Sequence, residues 1–109
     1  MKDLIEYPDF AKLDIRVGTI TDAIRVEESE KLLKLTVDFG ELGERTILTG
    51  MQKWYSPNDF INKQMLFVVN LAPKKMVGLE SRGMLLSIGD NPPVFIHPSQ
   101  PISNGTGVS

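Results

Sequence analysis

The sequence predicts an all-β fold, a small closed barrel of five strands, and three observations carry that prediction. Leu33, Leu35, Val37 and Phe39 alternate strictly with Lys34, Thr36 and Asp38, the period-2 signature of a half-buried strand. Met65 to Leu71 is apolar almost throughout, as suits a strand covered on both faces or curled into a small barrel. Between Leu13 and Val26 a long alternating run changes phase: Leu13, Ile15 and Val17 are odd-numbered, whereas Ile20, Ile24 and Val26 are even. One extra residue exchanges the two faces of a strand, so a β-bulge is expected at Gly18, bending the long first strand as a barrel corner needs and a flat sheet does not.

Taken in order, Asp9 to Lys12 is expected to form one helical turn ahead of strand one. A charged connection, Val26 to Lys31, leads into strand two, the alternating run Leu33 to Phe39. Gly40-Glu41-Leu42-Gly43-Glu44 has the length and glycine content of a hairpin loop, and Arg45 to Thr49 returns as strand three. Ser56-Pro57-Asn58-Asp59 combines a hydroxyl cap, a proline in the first turn and an acid near the positive end of the helix dipole, so a short helix separates strands three and four. Strand four is Met65 to Leu71, Pro73 ends it, and Met84-Leu85-Leu86 begins strand five. Three meandering strands, a helix, and two further strands match an OB-type barrel; an SH3-like barrel is the main rival and lacks the helix at that place. The barrel is expected over about residues 12–89 and a C-terminal extension over about 90–109, within one domain.

At 109 residues the chain can bury a core without a disulfide or metal staple. It has no Cys, hence no thiol nucleophile and no cysteine metal site, which is compatible with a reducing cytoplasm. No apolar run approaches the roughly 20 residues that span a bilayer, and MKDLIEYPDF carries acids where a secretory signal would be basic and then apolar, so a soluble protein with no membrane partner is expected. His97, followed by Pro98, has no second His or Cys to share a metal, and Ser81 has no His or Asp at suggestive spacing; neither a metal site, a cofactor nor a catalytic constellation is expected.

The net charge of −2 excludes a uniformly basic nucleic-acid binder, so such a function must rest on segregated charge. Residues 1–30 hold four cations against eight acids, whereas residues 60–89 hold Lys63, Lys74, Lys75 and Arg82 against Glu80 alone. That excess surrounds the stretch Pro73 to Leu86, a glycine-punctuated basic loop between two buried strands and the loop that borders the ligand face of an OB barrel. Lys31 and Lys34 flank strand two. Lys53 leads into Trp54-Tyr55, a basic-aromatic pairing of the kind that stacks on unpaired bases, although a lone Trp in a small core more commonly packs beside the helix. Two readings of Arg16 stand side by side: a phosphate contact, or an ion pair with Asp14 or Asp38 that fixes the barrel.

The series Asp9-Phe10, Leu13-Asp14-Ile15-Arg16-Val17-Gly18, Lys31-Leu32, Val37-Asp38-Phe39-Gly40, Tyr55-Ser56-Pro57, Asn70 to Met76 and Ser81-Arg82-Gly83-Met84-Leu85 resembles the tRNA-binding domain appended to methionyl-tRNA synthetases. That family also has free-standing members, among them tRNA-binding proteins and a secretion-linked, chaperone-like group. The resemblance implies an OB fold that binds tRNA by shape and backbone, aids a synthetase, and commonly forms homodimers through elements outside the barrel. It carries the family's loop motif onto Asn70, Lys74, Lys75, Ser81 and Met84, with Arg82 standing where the family usually has Gln or Glu. Neither the HIGH nor the KMSKS signature of a synthetase catalytic domain occurs, so the chain is expected to be a non-catalytic module, as an appended domain, a subunit or a free protein. A chaperone-like or protein-interaction module on the same fold is the alternative, and a single-stranded nucleic-acid binder the next. The tail after Asp90 has no Lys, Arg, Asp or Glu, yet holds Val94-Phe95-Ile96 and Ile102; its composition reads as a segment docked on its own barrel, whereas the resemblance implies that it helps form a two-fold interface.

Overall fold

The computed structural model describes all residues, Met1–Ser109. A short helix, α1 (Tyr7–Ala11), precedes β1 (Ile15–Arg25), β2 (Leu33–Asp38), β3 (Glu44–Thr49) and β4 (Gln64–Val68). Two short strands, β5 (Lys74–Met76) and β6 (Leu79–Ser81), come next, followed by β7 (Met84–Leu85), β8 (Ser87–Ile88) and β9 (Val94–Phe95). The main sheet is antiparallel with order β3-β2-β1-β4-β7. The ends of that sheet meet through Ser81 and Arg82: the Arg82 N–H donates to the Thr46 carbonyl at 2.9 Å, and the Leu48 N–H donates to Ser81 Oγ at 3.0 Å. The result is a nearly closed five-stranded barrel of OB type, as the strand series predicts.

The alternation of strand two holds residue by residue: Leu33, Leu35, Val37 and Phe39 have no exposed surface. They meet Ile20, Ile47, Met65 and Phe67 in one core, where the Phe39 and Phe67 rings stand edge to face, 5.3 Å apart. Burying each such side chain contributes roughly 1.5–3 kcal/mol.

The bulge lies elsewhere than predicted. Pairing of β1 with β4 runs unbroken through Gly18, and the slip falls between Ile20 and Asp22 against β2, leaving Thr21 as the extra residue. Inward positions are therefore Gly18, Ile20 and Ala23, while Leu13 and Ile24 are exposed. Gly18 serves space rather than bending: a Cβ there would stand 2.5 Å from Val37 Cγ1 and 2.7 Å from Phe39 Cε1. Val17, on the other side of the strand, is buried where the C-terminal segment runs beside it.

The predicted helix before strand four is a single 3-10 turn, Pro57–Asp59. The Asp59 carboxylate accepts the Ser56 N–H at 2.8 Å, as the cap signals imply, but Asn62 takes a left-handed backbone (φ 66°) and sends the chain back to β4. The aromatic that packs beside this turn is Tyr55, not Trp54: its ring lies 6.0 Å from Phe60 and 4.4 Å from Phe95.

Much of the tail docks on its own barrel. The Phe95 ring packs tilted against Phe60 at 5.0 Å, and the Tyr55 hydroxyl donates to the Pro93 carbonyl at 2.6 Å. Residues 105–108 extend the sheet beside β1, with the Val17 N–H donating to Thr106, Gly105 to Val17 and Val108 to Ile15. This arrangement is possible because β2 leaves β1 at Thr19, exposing the edge of its first half.

Candidate nucleic-acid interface

The stretch expected to be a basic loop is a hairpin. Lys74, Lys75 and Met76 pair with Ser81, Glu80 and Leu79, and the two-residue connection Val77-Gly78 has positive φ at both positions (45° and 77°), as a type I′ turn requires. Two short runs separated by two residues ending in Gly are a hairpin signal; that signal was present in the sequence, masked by the length of only three residues per strand. Val77 is β-branched and pays for its left-handed backbone with strain.

Pairing sorts the hairpin's charges. Directly opposed residues share a face and successive residues alternate, so Lys74, Met76, Leu79 and Ser81 form one face and Lys75 and Glu80 the other. The first face turns toward the barrel, where Ser81 is buried, accepts from Leu48 and donates to the Gly83 carbonyl at 3.2 Å. Lys75 thus stands opposite the one nearby acid, and Lys74 opposite a serine.

The barrel surface beneath is graded in the same sense. Strand register places three outward rows across β1, β2 and β3: Ile24, Lys34 and Leu48; Asp22, Thr36 and Thr46; Thr19, Asp38 and Glu44. The row nearest the hairpin is basic and apolar, the far row acidic. Leu48, although outward, is 6 % exposed because the hairpin covers it. Under the hairpin is a pocket of about 410 Å³, with Leu48, Leu71, Ala72, Met76 and Met84 as apolar walls and Lys74, Ser81 and Gly83 completing the lining. Gly83 (φ 146°) is confined on both counts, since a Cβ would meet the Val68 carbonyl at 3.0 Å.

The predicted site residues divide into two groups. Lys34, Lys74, Lys75, Arg82 and Met84 lie on or beside the hairpin and keep their exposed ends free of intramolecular partners; only Lys12–Asp9 and Arg16–Asp14 form ion pairs in the chain. Lys31 and Lys53 are exposed just past the hairpin-side end of β2 and β3, joined through the Gln52 N–H on the Lys31 carbonyl at 3.1 Å, and the Lys53 ammonium lies 5.4 Å over the Trp54 ring. The second group is engaged within the fold. Arg16 donates to Asp14 at 2.9 and 3.2 Å and to the Gly105 carbonyl at 3.2 Å. The bond to Asp14 holds its guanidinium pKa above the ordinary arginine value. Asn70 accepts from the Asp14 N–H at 2.8 Å and donates to the Lys12 carbonyl at 2.7 Å, clamping the N-terminal segment to the end of β4. Arg45, which strand periodicity does not distinguish, donates to the Val69 carbonyl at 2.6 Å across the barrel mouth.

A larger cleft, about 460 Å³, lies between residues 62–64 and 97–101, but its one lysine, Lys63, is turned over the Phe95 ring at 5.7 Å. The His97 ring faces the Gln64 carbonyl there at 3.0 Å. No group of three His, Cys, Asp or Glu side chains is placed to hold a metal. No helix is long and apolar enough to cross a membrane.

A family model described as "Putative tRNA binding domain" matches residues 15–107, the whole barrel with its hairpin and tail. The chain belongs to the tRNA-binding domain family. It is 45% identical to a methionine–tRNA ligase of Methanococcoides burtonii over 96% of its own length and 16% of the ligase, so it spans a small share of such relatives. Among solved structures it is similar to a MetRS-related protein of Pyrococcus horikoshii (36% identity, TM-score 0.91, covering 99% of this chain and 100% of that one). It is also similar to the chaperone CsaA of Bacillus anthracis (33% identity, TM-score 0.89, covering 98% and 100%). The resemblance carried by the Asn70 to Met84 motif is thereby met over the full barrel, and the match is to a tRNA-binding domain rather than to a catalytic one.

Proposed function

We propose that this domain is a non-catalytic tRNA-binding module that grips tRNA by its phosphate backbone and shape, and that it works beside a methionyl-tRNA synthetase in the cytoplasm, appended or in trans. The observation that carries this reading is the set of unpaired cations, Lys34, Lys74, Lys75 and Arg82, gathered at one end of an otherwise acidic barrel. Cations free of intramolecular carboxylates exchange their counterions for phosphates at little cost, which is the sequence-independent part of RNA affinity. The family membership supplies the ligand class.

A homodimer fits the same reading. Ile88 and Val94 pair across β8 and β9 with 60% and 51% exposure, and Leu4, Ile5 and Tyr7 around α1 are exposed as well, more apolar surface than an isolated barrel needs. Two linked sites on one tRNA would raise apparent affinity by effective concentration. The second reading, a polypeptide-binding module, is favoured by the similarity to the chaperone CsaA and by the apolar pocket.

Titration with tRNA across salt, with light scattering on the same samples, tests the proposal. About four to six phosphate contacts per barrel give a slope of log affinity against log salt near −3 to −5, with micromolar affinity for a single barrel. Ile88→Glu with Val94→Glu is expected to yield monomers that bind tRNA about 10²-fold more weakly. Salt-independent binding, or tight binding by a monomer, refutes the corresponding half.

A further inference from the structure

The pocket under the hairpin is not explained by phosphate contacts, because five of its eight lining residues are apolar and two of them are methionines. Its volume, about 410 Å³, falls in the range of clefts that take small planar ligands, roughly 300–1,000 Å³. Its surroundings select the ligand's charge. Lys74 is a lining residue and no carboxylate lines the pocket; Lys34, directly across the β2–β3 ladder from the floor residue Leu48, borders the adjoining cleft, which also holds Arg25, Glu27 and Glu28. Glu80 lies on the opposite face of the hairpin, Asp22 is one row of the barrel away, and Asp38 and Glu44 are two rows away.

We propose that this pocket receives one unpaired nucleobase of the bound RNA, with Lys74 and Lys34 contacting the phosphates on either side of it. The assignment rests on the RNA-binding reading of the same face. A base in a duplex cannot enter a concave site beneath a hairpin, whereas a base in a loop or at an end has already lost its pairing and much of its stacking. The flexible thioether chains of Met76 and Met84 conform to a flat polarisable ring, and they do so without discriminating among bases. The domain would therefore distinguish RNAs that present an unpaired nucleotide at the right place along the backbone from uniform duplex, while phosphate contacts alone would not. An apolar peptide side chain also fits the walls, but a lining with a lysine and no carboxylate favours a polyanion.

Methyl NMR on protein with labelled methionines, titrated with an unmodified tRNA transcript, tests this directly. The ring current of an inserted base is expected to shift the Met76 and Met84 methyl resonances upfield, while Met51 and Met65, buried in the core, stay in place. Filling the pocket from its exposed wall by Ala72→Leu is expected to lower tRNA affinity by roughly tenfold or more, the loss of one base contact. Saturable tRNA binding that leaves Met76 and Met84 unmoved and is indifferent to Ala72→Leu overturns the base assignment and leaves the phosphate reading standing. Shifts produced by a short leucine-rich peptide and not by tRNA overturn it in favour of a polypeptide. A protein that binds no tRNA at all overturns both readings together.

Discussion

The β5–β6 hairpin and the C-terminal segment are both additions to the barrel, and they are attached in opposite ways. The C-terminal segment has no charged residue and is bonded through its backbone, Gly105, Thr106 and Val108 completing the free edge of β1. The hairpin covers Leu48 and is hydrogen-bonded to the barrel through one buried hydroxyl and one amide, those of Ser81 and Arg82, and its cations form no ion pair. Satisfied backbone makes structure, whereas unsatisfied side chains on a firmly anchored base make a site. The same contrast separates two kinds of arginine and lysine: Arg16 and Lys74 carry equal charge, but Arg16 is committed to Asp14 and to the tail.

The comparison breaks first at the hairpin's charge. Reversing both Lys74 and Lys75 to Glu is expected to abolish tRNA binding in a protein that stays folded. Singly, Lys74→Glu should cost about 10²-fold and Lys75→Glu about tenfold, because Lys75 already faces Glu80. Equal losses, measured by filter binding at fixed salt, would mean that the two faces of the hairpin are wrongly assigned.

The anchor comes next. Ser81→Ala leaves the Leu48 N–H inside the fold without its acceptor, at a cost of about 1–3 kcal/mol, which should lower the melting temperature by several degrees and weaken tRNA binding with it. An unchanged melting curve would show that the hairpin is held by packing alone. At the tip, Val77→Asn is expected to relieve the left-handed strain and stabilise by about 1 kcal/mol with tRNA affinity unaltered, since Val77 does not line the pocket. A loss of affinity in that variant would place the turn itself in the interface.

The smallest effect is expected on the other side of the comparison. Arg16→Gln should leave tRNA affinity within about twofold and the salt slope unchanged, because the slope counts only cations that release counterions on binding. Thermal unfolding should detect the lost contacts to Asp14 and Gly105 instead. A shallower salt slope for this variant would return Arg16 to the phosphate contacts.

What the sequence by itself determined is whatever the pleat of a strand imposes locally. The barrel, the buried face of β2, the cap at Ser56 and the region of excess positive charge all follow from neighbours a few residues apart. The family resemblance, also legible there, pointed to the Asn70 to Met84 motif. Only the tertiary structure decided which of those residues are free. Asn70 is taken by Lys12 and Asp14, Arg16 by Asp14 and the tail, and Ser81 by Leu48, all but the Arg16–Asp14 pair being contacts between residues remote in sequence. Gly18 misled for the same reason: the phase change around it suggested a bulge, but what it supplies is room for Val37 and Phe39, on and just after the next strand. Periodicity reports the direction a side chain points along its own strand. Whether it finds a partner there depends on what the closed barrel brings opposite, and that is set by register and packing rather than by local sequence.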